Sequence, residues 1–192
     1  MPARKPIKRV EQTDIAVARS VAPVRNHPLT RILGDLSDIA DQPPLRTIGG
    51  ATIVAGALAR SERLTLAGIR MLAAHHLATV AKTVVKKSID RTRPEEMLGN
   101  GDYESGEGRH DSSPWNSFPS GHTAGAVAVA RAIGHDYPKA ALPAMALAIT
   151  VSAIQVPRGK HYVSDVIAGA LIGLAADGAV NALGKKLGTV SE

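Results

Sequence analysis

A chain of 192 residues has room for one domain with a buried core. It has no cysteine, which excludes a disulfide scaffold and thiolate metal sites and leaves the compartment open. The net charge of +6 is uneven: residues 1–31 hold Arg4, Lys5, Lys8, Arg9, Arg19, Arg25 and Arg31 against only Glu11 and Asp14.

That leading arm, residues 1–46, has the composition of a solvated, partly disordered tail, although its charge would suit anionic lipid headgroups or nucleic acid. No apolar run follows its basic residues, so no cleaved signal peptide is expected. Leu29–Ala40 reads as a short amphipathic helix that would lie at a membrane interface. From Thr47 the chain turns rich in Ala, Gly, Leu, Val and Ile, and β-branched residues are spaced for helix rather than strand. The spacing predicts helices over Thr47–Ala59, Leu64–Lys87, His122–Gly134, Ala140–Val156 and Val163–Leu183, in an all-α bundle of five to six helices that is membrane-embedded. This helical domain would run over residues 47–184, followed by a C-terminal tail, 185–192. Ala140–Pro157 is an uncharged stretch near the lower limit for a spanning helix. Between the second and third helices, residues 95–118 have no periodicity and read as an active-site loop.

Three polar clusters interrupt the apolar pattern. Lys86 and Arg93, followed by Pro94, are two helical turns apart and would project from one face of a helix end, a pair of cations suited to a dianion. Pro119-Ser120-Gly121-His122 opens the third helix. Ser120 is an N-cap candidate, Gly121 permits close backbone approach, and His122 would stand at the rim of an anion site as a general acid. His161 and Asp165 are spaced i, i+4, so the carboxylate would bond one ring nitrogen and leave the other as a nucleophile. No His-Glu-x-x-His or other metal motif is present, and neither a metal nor a cofactor is expected. His75 and His76 read as packing residues, and His27, His110 and His135 have no supporting pattern.

The order Lys-x6-Arg-Pro, Pro-Ser-Gly-His and His-x3-Asp resembles the type 2 phosphatidic acid phosphatase superfamily, which includes the vanadium haloperoxidases. The segment His161-Tyr162-Val163-Ser164-Asp165-Val166-Ile167-Ala168-Gly169 is similar to that family's last motif. The resemblance implies a helical bundle in which Lys86, Arg93, Ser120 and the Gly121 amide bind phosphate. His122 would protonate the leaving oxygen, His161 would attack phosphorus and Asp165 would orient it. It also implies a metal-independent phosphatase of lipid or isoprenoid phosphates or diphosphates, acting through a phosphohistidine in a bacterial inner membrane. Substrate and membrane are thus the expected partners, with no nucleic acid. The family's third motif carries Arg six residues before the nucleophile, where this chain has Gln155. Arg158 or Lys160 could substitute for that cation, and Arg158 is the better placed because Pro157 and Gly159 suggest a turn. A catalytically weakened phosphate- or lipid-binding protein and a vanadate-dependent haloperoxidase are the alternative readings.

Overall fold

The computed structural model describes residues 8–108 and 113–187. Arg4, Lys5, His110 and most of the C-terminal tail lie outside the described residues. Among those described there are eight α-helices, more than the five or six expected. Five form the bundle: α3 (Gln42–Leu58), α4 (Glu62–Ser88), α6 (Gly121–Asp136), α7 (Pro138–Ile154) and α8 (Val163–Lys186). The additional ones are α1 (Arg9–Val21), α2 (Pro28–Ser37) and α5 (Pro94–Asn100).

The bundle is built around α6, which packs on α4, α7 and α8. Nine of its residues are buried, and the alternation Ala124, Ala126, Ala128, Ala130, Ala132 keeps every side thin. Helix α8 closes on it through two glycines one turn apart. A Cβ on Gly169 would sit 2.5 Å from the Ser120 carbonyl oxygen, and one on Gly173 would sit 2.6 Å from that of Ala124. These are backbone-to-helix approaches of the small-xxx-small kind that serves where lipid supplies no hydrophobic drive.

The outer faces are apolar. Leu142, Leu147 and Ile149 on α7 and Ile167, Leu171 and Leu174 on α8 are all exposed. Helices α4 and α8, with 27 and 24 residues, are long and apolar enough to cross a bilayer. At about 1.5 Å per residue they exceed the roughly 30 Å hydrocarbon core. Short connections after α3, α6 and α7, and the longer segment 89–120 after α4, alternate the direction of successive bundle helices, so the start of α3, the end of α4, the start of α6, the end of α7 and the start of α8 share one end of the bundle.

The remaining elements cap that end. Residues of the basic arm, expected to be a solvated tail, instead form α1, whose Ile15 and Ala18 pack with Met97 and Tyr162. The aperiodic stretch 95–118 is also partly ordered. It includes most of α5, and β2 (Ser105–Glu107) pairs antiparallel with β1 (Ile89–Arg91). That small ladder is an exception to the all-α pattern, and three-residue strands carry too little periodicity to announce themselves.

Gly173→Leu should destabilise the bundle by about 1–3 kcal/mol through forced separation of α6 and α8. Gly178→Ala, which places its methyl in open space, should be near neutral. Thermal unfolding of the two variants in detergent checks the contrast.

Candidate active site

The capped end encloses a cavity of about 490 Å³, and most of the residues singled out from sequence line it: Lys86, Arg93, Gly121, His122, Arg158 and His161. The local reasons differ. Helix α4 ends at Ser88 and the chain straightens into β1, so Lys86 and Arg93 do not share a helix face as expected. Arg93 is the N-cap of α5, set before Pro94, which suits a first helical position. The two cations converge because both reach one acceptor, the Asn116 carbonyl, at 2.6 Å from Lys86 Nζ and 3.4 Å from Arg93 Nη2. Arg93 Nε also donates to the Ser113 carbonyl at 2.7 Å.

Ser120 does cap α6, accepting from the Thr123 amide and hydroxyl. It is fully buried and is not among the cavity-lining residues, whereas Gly121 is. A Cβ on Gly121 would fall 2.7 Å from Lys82 Nζ. Lys82 was missed from sequence. It precedes Lys86 by one turn on the same face of α4 and lines the cavity.

His161 is almost fully buried, and its Nδ1 lies 2.7 Å from the Ser117 carbonyl oxygen. A carbonyl can only accept, so the proton is held on Nδ1 and the Nε2 lone pair is left free. Burial lowers the His161 pKa from 6.5 to about 4, against the opposing pull of Asp165, so the ring is neutral at physiological pH. Asp165 does not bond this ring directly, as the i, i+4 spacing suggested. Its Oδ2 is 3.8 Å from Nδ1, an ion-pair distance rather than a hydrogen bond. That oxygen instead accepts from Ser117 Oγ at 2.5 Å and from the Tyr162 amide at 2.7 Å. Asp165 therefore positions His161 through Ser117, whose hydroxyl it holds and whose carbonyl holds the ring.

Behind Asp165 stands Arg91, which the motif spacing did not single out. Its Nη1 donates to Asp165 Oδ1 at 2.5 Å and to Ser164 Oγ at 2.8 Å, its Nη2 to Asp14 Oδ2 at 2.8 Å, and its Nε to Tyr103 Oη at 3.0 Å. Burial by itself would weaken the guanidinium, but Asp165 and Asp14 outweigh it and raise its pKa. Asp14 comes from α1, so the arm supplies part of the support for the site.

Gln155 is fully buried and is not a cavity-lining residue; its Nε2 donates to Ser37 Oγ at 3.0 Å and to the Val151 carbonyl at 2.9 Å. Arg158 does line the cavity, with Nη1 engaged by Asp38 at 2.8 Å and Ser37 at 2.9 Å. Lys160, also in the lining, is held by Glu95 at 2.8 Å. At the mouth, His122 Nε2 lies 3.1 Å from an Asp41 carboxylate oxygen and 3.4 Å from one of Asp38. The sequence carries no metal motif, yet folding groups these three potential ligand atoms within 4.8 Å of one another. The carboxylates are about half exposed, and contact with the imidazole accounts for the grouping without an ion. His75 is buried where α4 meets α6, as expected of a packing residue, and His135 pairs with Asp177 at 3.0 Å at the far end of the bundle.

The profile of the PAP2 superfamily matches residues 67–188, which include all three polar clusters. The chain belongs to the PAP2 superfamily. Its fold is similar to that of the transmembrane PAP2-type phosphatidylglycerolphosphate phosphatase of Bacillus subtilis, at 23% identity and a TM-score of 0.67, covering 92% of this chain and 87% of the other. LpxE of Aquifex aeolicus is similar at 20% identity and a TM-score of 0.62, covering 86% of this chain and 93% of the other. No curated protein sequence matches.

Arg91→Met should destabilise the fold by about 3–5 kcal/mol, because two buried carboxylates lose their counter-charge. Asp14→Asn, which keeps the shape and removes one charge, should cost less, and chemical denaturation in detergent compares them. The unfolded chain's imidazole binds a proton near pH 6.5 and His161 in the fold resists doing so until about pH 4. Stability from this group is therefore present above pH 6.5 and lost as pH falls toward 4, which thermal melts across that range should register.

Proposed function

We propose that this PAP2 superfamily protein is a phosphatase that hydrolyses a lipid or isoprenoid phosphate or diphosphate at a membrane surface through a phosphohistidine intermediate. The observation that carries the reading is His161: neutral, with its proton held on Nδ1 by Ser117, in one cavity with His122 and a set of cations. The relatives in fold support the substrate class, one being named as a phosphatidylglycerolphosphate phosphatase.

In the first step the His161 Nε2 lone pair attacks phosphorus while the P–O bond to the alcohol breaks and His122 delivers its proton to the departing oxygen. A water then attacks the phosphohistidine, giving its proton back to His122. The P–N bond breaks and its electron pair returns to Nε2. Lys86, Arg93 and the Gly121 amide stabilise the charge gathered on the equatorial oxygens, so fixed cations take the part that a metal plays elsewhere.

The Gln155 position leaves that clamp one cation short, and two residues are placed to supply it. Arg158 is already engaged by Asp38 and Ser37. Lys82 has no hydrogen-bond or ion-pair partner among the described residues and borders Gly121 in the cavity. We assign the third phosphate contact to Lys82, with Arg158 as the second contributor at the mouth.

Phosphate release from phosphatidate, an isoprenyl diphosphate and a soluble aryl phosphate, measured without added metal, tests the assignment. His161→Ala should abolish turnover, and turnover that survives it sinks the nucleophile. Lys82→Gln should lower kcat/KM by about 10²–10³-fold and Arg158→Ala by less. Gln155→Arg should give no gain, because position 155 lies behind Ser37. Binding of phosphate without turnover would favour a weakened binding protein, and bromide oxidation with vanadate would favour a haloperoxidase.

A further inference from the structure

Helix α3 begins with a carboxylate that has no capping work to do. Asp41 is its N-cap, where an aspartate side chain ordinarily accepts from the N–H of the second or third helical residue. Here those residues are Pro43 and Pro44, which have no N–H, and Asp41 makes no side-chain cap bond. The local sequence thus leaves this carboxylate without a role in its own helix. Folding sets it in the cavity lining beside Asp38, with Oδ1 3.1 Å from His122 Nε2.

The leaving oxygen has to sit at this edge of the cavity, because His122 is the residue that protonates it. The fixed charges there do not balance. Arg158 is bonded to Asp38 at 2.8 Å and Lys160 to Glu95 at 2.8 Å, so each of these cations already faces an acid. Arg46, early in α3, reaches Gln42 at 3.3 Å and is not a lining residue. Lys82, Lys86 and Arg93 belong to the part of the lining that holds the transferred phosphoryl group. Asp41 faces His122, whose positive charge lasts only until its proton is delivered. After that, the carboxylates of Asp41 and Asp38 stand beside the departing group with the single counter-charge of Arg158.

The consequence depends on what departs. From a phosphate monoester it is an alcohol, neutral once the oxygen is protonated. From a diphosphate the bond that breaks joins the terminal phosphorus to the bridging oxygen, and the departing lipid phosphate keeps negative charge after taking the proton. A carboxylate placed there opposes the second reaction and not the first, which is how a site discriminates by repulsion. We propose that Asp41, with Asp38 beside it, is a specificity determinant that makes this chain select phosphate monoesters of lipid alcohols over diphosphates. This rests on the phosphatase reading with His122 as the acid, and it narrows the substrate to one of the two classes left open there.

An isoprenyl phosphate and the diphosphate of the same chain length test the proposal, as initial rates of phosphate release by the full chain in detergent. The wild-type kcat/KM should favour the monophosphate by about tenfold, although phosphate is intrinsically the better leaving group. Asp41→Asn keeps the shape and removes the charge, and should raise the diphosphate-to-monophosphate ratio of kcat/KM by about tenfold. Asp38→Asn should raise it less, because Arg158 already offsets that charge. A wild-type preference for the diphosphate, or a ratio that Asp41→Asn leaves unchanged, overturns the proposal. Binding of an isoprenyl phosphonate and its methylenediphosphonate counterpart, neither of which can be hydrolysed, gives a second measurement independent of turnover. On Asp41→Asn the diphosphonate should gain about threefold more affinity than the monophosphonate, and equal gains overturn the proposal. A chain that shows this binding contrast without His161-dependent turnover would refute the phosphatase reading and uphold the charge selection, so the two failures are distinct.

Discussion

The buried guanidinium of Arg91, held between the carboxylates of Asp165 and Asp14, is the contact on which the site depends. One positive charge between two negative ones is tolerable away from water only when nearly every donor and acceptor is used. Here Nη1, Nη2 and Nε each have an acceptor, and the Tyr162 ring lies 4.2 Å from the guanidinium carbon. The pairing ties strand β1 to the start of α8 and to α1, three segments far apart in the chain. Asp165, fixed in this way, holds Ser117, and Ser117 holds His161. The tautomer of His161 is thus set by a relay that begins with an arginine that does not line the cavity.

That relay needs a rigid floor, which the close approach of α6 and α8 supplies. Gly169 meets the Ser120 carbonyl directly, so the N-cap of α6 and the first turns of α8 are locked at backbone distance. The Ser120 amide also donates to the Asp165 carbonyl at 3.0 Å. His122, in the first turn of α6, and His161, two residues before α8, are therefore held beside two helices that meet at backbone distance. The remaining bundle surface is free to be apolar because none of it is needed for chemistry.

The cavity itself has an unequal distribution of partners. Arg158 and Lys160 each face a carboxylate, Lys86 and Arg93 are steered by backbone carbonyls, and Lys82 stands against the α6 terminus. Carbonyl partners orient a cation without neutralising it, so Lys86 and Arg93 keep their charge available for an anion. Gln155 fits this division: an amide can satisfy Ser37 and the Val151 carbonyl where an arginine would have brought a charge into a sealed space.

Much of this was legible in the order of residues. Apolar stretches of helical length, the Ser120 cap, and three polar clusters in the order shared by the PAP2 superfamily determined the bundle and nominated His122, His161, Lys86 and Arg93, because helix periodicity and capping are local properties. Local spacing failed where the chain left the helix. Lys86 and Arg93 were separated by β1, and the i, i+4 relation of His161 to Asp165 did not yield a direct bond because His161 precedes α8 and its ring turns to Ser117. Tertiary structure alone decided where Asp14, Arg91, Lys82 and Ser117 stand relative to the cavity. Asp14 and Arg91 are 77 residues apart, and no periodicity marks a residue whose partner arrives from another helix. The physical reason is that a buried charge is stabilised by whatever counter-charge folding brings within about 3 Å, and sequence separation does not enter that energy.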